Sequence, residues 1–191
     1  IENTKFLDGH MVRVATQQRY RRLVMDKIEK EKLYTTAYLL SDYHKKCTGF
    51  YSKQANCSKE STTSIEGHYV LIPVPTKDVE GVDWSQFDLS QFDGIDENNL
   101  PTDFTGFIGI SYHQLSDDVS QSTENTLANR IEILKFIHEK FPHIIDVYLQ
   151  SDGARNYNNN IMAAACCYFY EWAGIYCNTY CYNEPGHGAD I

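Results

Sequence analysis

The chain is predicted to be an α/β protein, a mixed five-stranded sheet flanked by helices, and three observations carry that reading. Three β-prone runs come first, and two more follow in alternation with helical segments. Two of the five runs stop at Ser-Asp and give way to polar, turn-forming residues, and open α/β sheets bind ligands at the edge where such strands stop. Across 191 residues, 42% hydrophobic content and 14 tyrosines suffice for one real core.

The elements follow in order. Residues 11–31 hold helix formers without Gly or Pro, and Tyr20, Leu23, Val24 and Ile28 recur at helical spacing, so a helix packed by one stripe is expected. Residues 1–34 thus form a helical lead-in, and residues 35–191 form the core. TTAYLLSD, 35–42, predicts strand one, closed by Asp42. After a Lys-, Ser- and Thr-rich loop (45–64), HYVLIPVP predicts strand two, stopped by its prolines. Residues 75–103 hold eight acids against the single base Lys77 and no sustained period, which reads as an acidic insert whose deletion (78–102) leaves the sheet intact. FTGFIGISYH, 104–113, predicts strand three, bulged at its glycines. QSTEN supplies helix-start chemistry, with Leu127, Ile131, Leu134, Ile137 and Phe141 on one face before Pro142. Strand four is 143–151, a helix spans 157–172, and IYCNTYCY, 175–182, alternates as strand five. The first residue is Ile1 and the last segment, EPGHGADI, opens a further element, so the chain reads as C-terminally truncated.

Charge narrows the function classes. The net charge is −9, yet residues 1–59 hold 12 of the 17 Lys+Arg against 6 acids, while residues 60–191 hold 5 against 20. Arg13, Arg19, Arg21, Arg22, Lys27, Lys30 and Lys32 are candidates to meet phosphates, with a solvated helix face as the plain alternative. The acidic total argues against this domain alone gripping long duplex DNA, because such affinity is mainly phosphate neutralisation. No apolar run reaches bilayer length and the start has no signal-peptide core, so no membrane partner is expected and the protein is placed in the nucleus or elsewhere inside the cell. The six cysteines lack C-x-x-C spacing and are read as reduced and partly core; Cys177 and Cys181 share one strand face. No phosphate-binding or dinucleotide glycine motif follows any strand.

Two carboxylates then stand out. Asp42 opens Asp42-Tyr43-His44-Lys45-Lys46, and Asp152 lies in Ser151-Asp152-Gly153-Ala154. Near the end come Glu184, Pro185, Gly186, His187, Gly188 and Asp190. In this order, with strands between them, the segments resemble the catalytic domain of DDE/DDD-type cut-and-paste transposases, over most of the chain. The resemblance implies a ribonuclease H-like fold and a polynucleotidyl transferase that hydrolyses and transfers DNA strands in line. Its catalytic and metal-holding residues would be Asp42, Asp152 and Glu184, with Asp190 a further metal ligand. Its cofactor would be two Mg²⁺ or Mn²⁺ ions, and its partners transposon ends, target DNA and a second copy in a homodimer. Two divalent ions about 4 Å apart clamp the attacking and leaving oxygens of a phosphodiester, and hard cations favour carboxylate oxygens. Without them, neighbouring carboxylates repel and their pKa values rise.

Other readings stand beside this one. Asp152 also suits a helix N-cap, Glu184 a solvated loop, and Asp190 a helix start. Asp83 is disfavoured as the first carboxylate because no apolar strand precedes it. His44, His68, His113 and His187 are candidates to approach substrate phosphate, against a core or surface role for each. Asn156 and Asn158 to Asn160 orient ligands or cap the helix. A proofreading exonuclease on the same fold is rejected, because Tyr43 and His44 follow Asp42 where a second acid is needed. The alternative function is a transposon-derived module that has lost catalysis and binds DNA or protein.

Overall fold

Strands β1 (Thr36–Thr48), β2 (Thr62–Pro73), β3 (Phe107–Ser116), β4 (Asp146–Ser151) and β5 (Tyr176–Tyr182) form one sheet in the order β3-β2-β1-β4-β5. The computed structural model describes residues 18–48, 62–96, 98–116, 122–151 and 153–182, the side chains of 42–48, 62–64 and 116 excepted. β2 pairs antiparallel with β1 and with β3, whereas β4 runs parallel to both β1 and β5. The mixed α/β class read from the sequence is therefore present.

Parallel strands are buried on both faces, and the two central ones show it. From Thr36 to Ser41 every residue of β1 is buried, and so are Val147 to Ser151 of β4. Alternation divides them between two cores. Ala37, Leu39, Val70, Ile72, Val147 and Leu149 lie in one, against Ile133, Leu134 and Ile137 of helix α2 (Thr123–Lys140). Tyr38, Leu40, Leu71 and Tyr148 lie in the other, against Val24 and Ile28 of helix α1 (residues 18–31).

Local chemistry sets the helix ends. α1 closes with Leu33 N–H donating to the Ile28 carbonyl (2.9 Å) and Lys32 N–H to that of Glu29 (3.2 Å). This is the paired-bond helix stop usually built on glycine, and here Lys32 takes the left-handed turn at φ 54°. Ser122 caps α2, accepting from Asn125 N–H at 3.2 Å, as the QSTEN segment predicts. After β4, Asn159 caps α3 (Asn160–Ala165), which passes through a 3₁₀ turn at Cys166–Tyr168 into α4 (Phe169–Ala173) and stops at Gly174, φ 75°. The single helix expected over 157–172 is thus broken by a tight turn.

Three further expectations are corrected, and the acidic segment shows packing that its sequence did not announce. Leu23 is 57% exposed, so the α1 stripe is Val24 and Ile28 flanked by half-buried Tyr20 and Met25. β3 pairs with β2 without a register shift, and the reason for Gly109 is close approach, since a Cβ there would stand 2.5 Å from the Tyr69 hydroxyl. A register shift in β5 leaves Asn178 as the extra residue, pairing Cys177 with Val147 but Cys181 with Gln150, so the two cysteines fall on opposite faces. The acidic segment, 75–103, is folded against the sheet. Its tandem Asp83-Trp84-Ser85-Gln86-Phe87 and Asp88-Leu89-Ser90-Gln91-Phe92 each make a 3₁₀ turn capped by the aspartate, and Phe87 and Leu89 are buried in the α2-side core.

Candidate active site

The parallel ladder between β1 and β4 ends where Ser41 faces Ser151, and each serine is followed in the chain by one of the two aspartates. Asp42 does not end its strand, as the sequence suggested. β1 continues to Thr48 beside β2, and the register shifts between Ser41 and Tyr43, so Asp42 occupies a bulge at the point where β4 stops. Bulges are frequent beside active sites because they re-aim a side chain. The Asp42 side chain, Asp152, Glu184 and Asp190 lie outside the described residues, as do His187 and the His44 side chain. Among the described residues, no cluster of three or more His, Cys, Asp or Glu is arranged to hold a metal ion.

Directly beneath this point the α2-side core changes from hydrocarbon to polar. His68, the β2 partner of Ser41, is 2% exposed and bonds the Ser41 hydroxyl through Nδ1 (2.7 Å) and Gln114 through Nε2 (2.8 Å). A neutral ring that accepts from Ser41 and donates to the Gln114 carbonyl satisfies both contacts. One step along β2, Glu66 accepts from the Tyr157 hydroxyl (2.8 Å) and from Asn129 Nδ2 (2.7 Å). Its Oε1 lies 3.9 Å from His68 Nε2. On the far side, the Ser151 hydroxyl donates to the Tyr180 hydroxyl (2.9 Å), which donates to the Tyr157 carbonyl (3.2 Å). Gln114, His68 and Ser41, then Glu66, Tyr157, Tyr180 and Ser151, thereby form a polar belt around the end of the parallel ladder.

Arg130 fills its centre. The side chain is fully buried, with its guanidinium carbon 5.8 Å from each of the Tyr157 and Tyr180 ring centroids. None of its three nitrogens has a hydrogen-bond partner among the described residues. Cation–π attraction and the Glu66 charge are its compensation. Burial raises the Glu66 pKa, opposed first by the Arg130 charge and then by the bonds from Asn129 and Tyr157. Burial also raises Tyr157 well above the usual phenol range and Tyr180 to about 12, so both remain hydroxyl donors at neutral pH.

The remaining sequence candidates separate plainly. Asp83 is an exposed cap that accepts from Ser85 N–H and Oγ, which, led by the side-chain bond, lowers its pKa. His68 has a core role, and His113 is exposed on β3. Asn156 and Asn159 tie the post-β4 loop to α2 through Thr126 (2.9 Å) and Thr123 (3.0 Å). Arg19, Arg22, Lys27 and Lys30 are exposed on α1, and Arg21 lies over the Tyr69 ring at 5.1 Å. The four described cysteines are free, and a hydrogen bond between Cys166 and Cys177 lowers the first thiol and raises the second. An apolar groove of about 370 Å³ beside Leu127, Ile161, Tyr168 and Trp172 has no carboxylate, histidine or cysteine in its lining. No helix among the described residues is long and apolar enough to cross a membrane.

Compared with known proteins, the chain matches no family model, no curated protein and no solved structure.

Proposed function

We propose that this chain is a ribonuclease H-like nuclease and strand-transfer core acting on DNA, of the kind found in cut-and-paste transposases. The observation that supports it is the pairing of Ser41 with Ser151 in adjoining parallel strands. Adjoining strands lie roughly 4.8 Å apart, and positions 42 and 152 each follow a residue of the last parallel rung, the first within the β1 bulge and the second just past the end of β4. On this reading, two acids 110 positions apart in sequence share the same ions.

Two Mg²⁺ or Mn²⁺ ions would supply the Lewis acidity that stabilises charge on the attacking and leaving oxygens of a phosphodiester. The chain's own part is to hold them. Asp42 and Asp152 are the proposed ligands, and Glu184 or Asp190 the proposed third. The donor set is oxygen-only, which suits a hard cation. The exposed bases of α1 are the proposed contacts to substrate phosphates.

The test is Mn²⁺ binding followed by electron paramagnetic resonance, together with nicking of supercoiled plasmid. The unaltered chain is expected to bind Mn²⁺ and to nick. Asp42→Ala and Asp152→Ala, with unchanged circular dichroism, are expected to do neither. A folded Asp42→Ala protein that binds and nicks like the parent sinks the proposal, and binding of DNA without metal or nicking by the parent favours a module without catalysis.

A further inference from the structure

Two of the described cysteines meet although they lie on different elements. Cys166 opens the 3₁₀ turn between α3 and α4, and Cys177 is the second residue of β5. Between them α4 stops at Gly174, whose left-handed φ of 75° turns the chain, and β5 comes back to pack on the 3₁₀ turn. Both side chains are half-buried against the α2-side core, and their thiols are hydrogen-bonded to each other. Cys181, later in the same strand, is turned to the other face by the extra residue at Asn178.

Thiols that only fill a core need no charge beside them. Here the buried Arg130 guanidinium acts on both sulfurs, and none of its three nitrogens has a hydrogen-bond partner among the described residues. A thiolate would give it a counter-charge. The Cys166 thiol donates to the Met162 carbonyl at 3.3 Å, so its sulfur is the acceptor for Cys177. That bond and, against the effect of burial, the Arg130 charge hold Cys166 below the usual thiol range. The same bond, together with burial, pushes Cys177 up. The two sulfurs are therefore unequal, and the one that ionises more readily is the nucleophile.

We propose that Cys166 and Cys177 form a peroxide-sensitive dithiol, with Cys166 as the attacking sulfur and Cys177 as the resolving one. The Cys166 thiolate attacks one oxygen of hydrogen peroxide and the O–O bond breaks. Sulfur is oxidised to the sulfenic acid, and the second oxygen leaves as hydroxide, which takes up the proton that Cys166 released and becomes water. Cys177 then forms the S–S bond, and the sulfenic hydroxyl departs with the Cys177 proton as a second water. Two thiols and one peroxide thus give one disulfide and two waters. The new bond staples the 3₁₀ turn to β5 at the residue paired with Val147 of β4, and a thiol reductant reverses it. This dithiol is independent of the proposed metal chemistry.

The experiment treats the folded, reduced chain with hydrogen peroxide, blocks the remaining thiols with N-ethylmaleimide and maps the peptides without reduction. The expected product is a Cys166–Cys177 cross-link that dithiothreitol removes. Cys167→Ser, which deletes the exposed neighbour, should form the same link. Cys177→Ser should lose the link and stop at a sulfenic acid on Cys166, trapped by dimedone. The map of the parent is decisive even if a variant fails to fold. A link through Cys167 or Cys181 in place of this one, or a folded parent whose Cys166 and Cys177 stay reduced, overturns the proposal.

Discussion

Ser41 and Ser151 are direct partners at the last rung of the parallel ladder between β1 and β4, and their hydroxyls engage different neighbours, His68 and Tyr180. Two residues far apart in sequence are thereby held in register by backbone and side chain together.

Ligand linkage makes the first prediction. Mn²⁺ at a hundred times its Kd stabilises a folded chain that binds it by about 2.7 kcal/mol. Thermal unfolding should show the corresponding rise in Tm for the parent and no rise for Asp42→Ala or Asp152→Ala. An equal rise in all three would place the ion elsewhere.

The second concerns Glu66 and Arg130. Breaking a buried charge pair leaves one ion uncompensated, so Glu66→Gln and Arg130→Met are each expected to cost about 3–5 kcal/mol in urea unfolding. The double variant should cost far less than the sum, because both charges leave the core together. Additive losses would show that the two groups do not compensate each other.

A third follows from His143, buried between Phe87 (5.8 Å) and Phe141 (6.3 Å), its two ring nitrogens without a hydrogen-bond partner among the described residues. Burial lowers its pKa from 6.5 to about 4. The unfolded chain therefore takes up this proton first as pH falls. The stability contribution is fully present above pH 6.5 and is lost progressively down to about pH 4, amounting to at most roughly 3 kcal/mol. His143→Leu should flatten the stability profile in that window. An unchanged slope would mean that other groups govern it.

The fourth reverses an expectation drawn from the sequence. Residues 78–102 read as removable, yet Phe87 and Leu89 are buried against the α2-side core. Phe87→Ala is expected to destabilise by about 3–5 kcal/mol, and deletion of 78–102 to abolish the cooperative transition. Cooperative unfolding of the deleted protein would return the segment to the status of an appendage.

Much of the fold was legible because its strands obey simple patterns. β1 and β4 read as short apolar runs because both of their faces are covered, and Ser122 announced the start of α2. That strands one and four adjoin was expected only from the family resemblance, and β1 does pair with β4. The polar belt was not legible, because hydropathy treats Glu66, His68 and Arg130 as solvent-facing. Reading α2 by its aliphatic residues alone placed Leu134 and Ile137 correctly but rotated the rest of the face toward half-buried Leu127 and Ile131, whereas Thr126, Arg130 and Ile133 are fully buried. A usable signal did exist in β2. Glu66 and His68 continue the alternation of Val70 and Ile72, so they share a face that is otherwise hydrocarbon. The bulge within β1 had no comparable signature, since it depends on where β4 ends.

The extra residue at Asn178 has an outsized effect on the chemistry of the interior. Strict alternation from Cys177 would turn Cys181 toward α2, and the irregular edge strand substitutes Tyr180 instead. Pairing Asn178 in a regular ladder would replace a phenol with a thiol beneath the ladder's last rung, whereas excising it would leave Tyr180 opposite Leu149. One residue of slack in an outer strand thus selects between oxygen and sulfur as the lining under the proposed cation site.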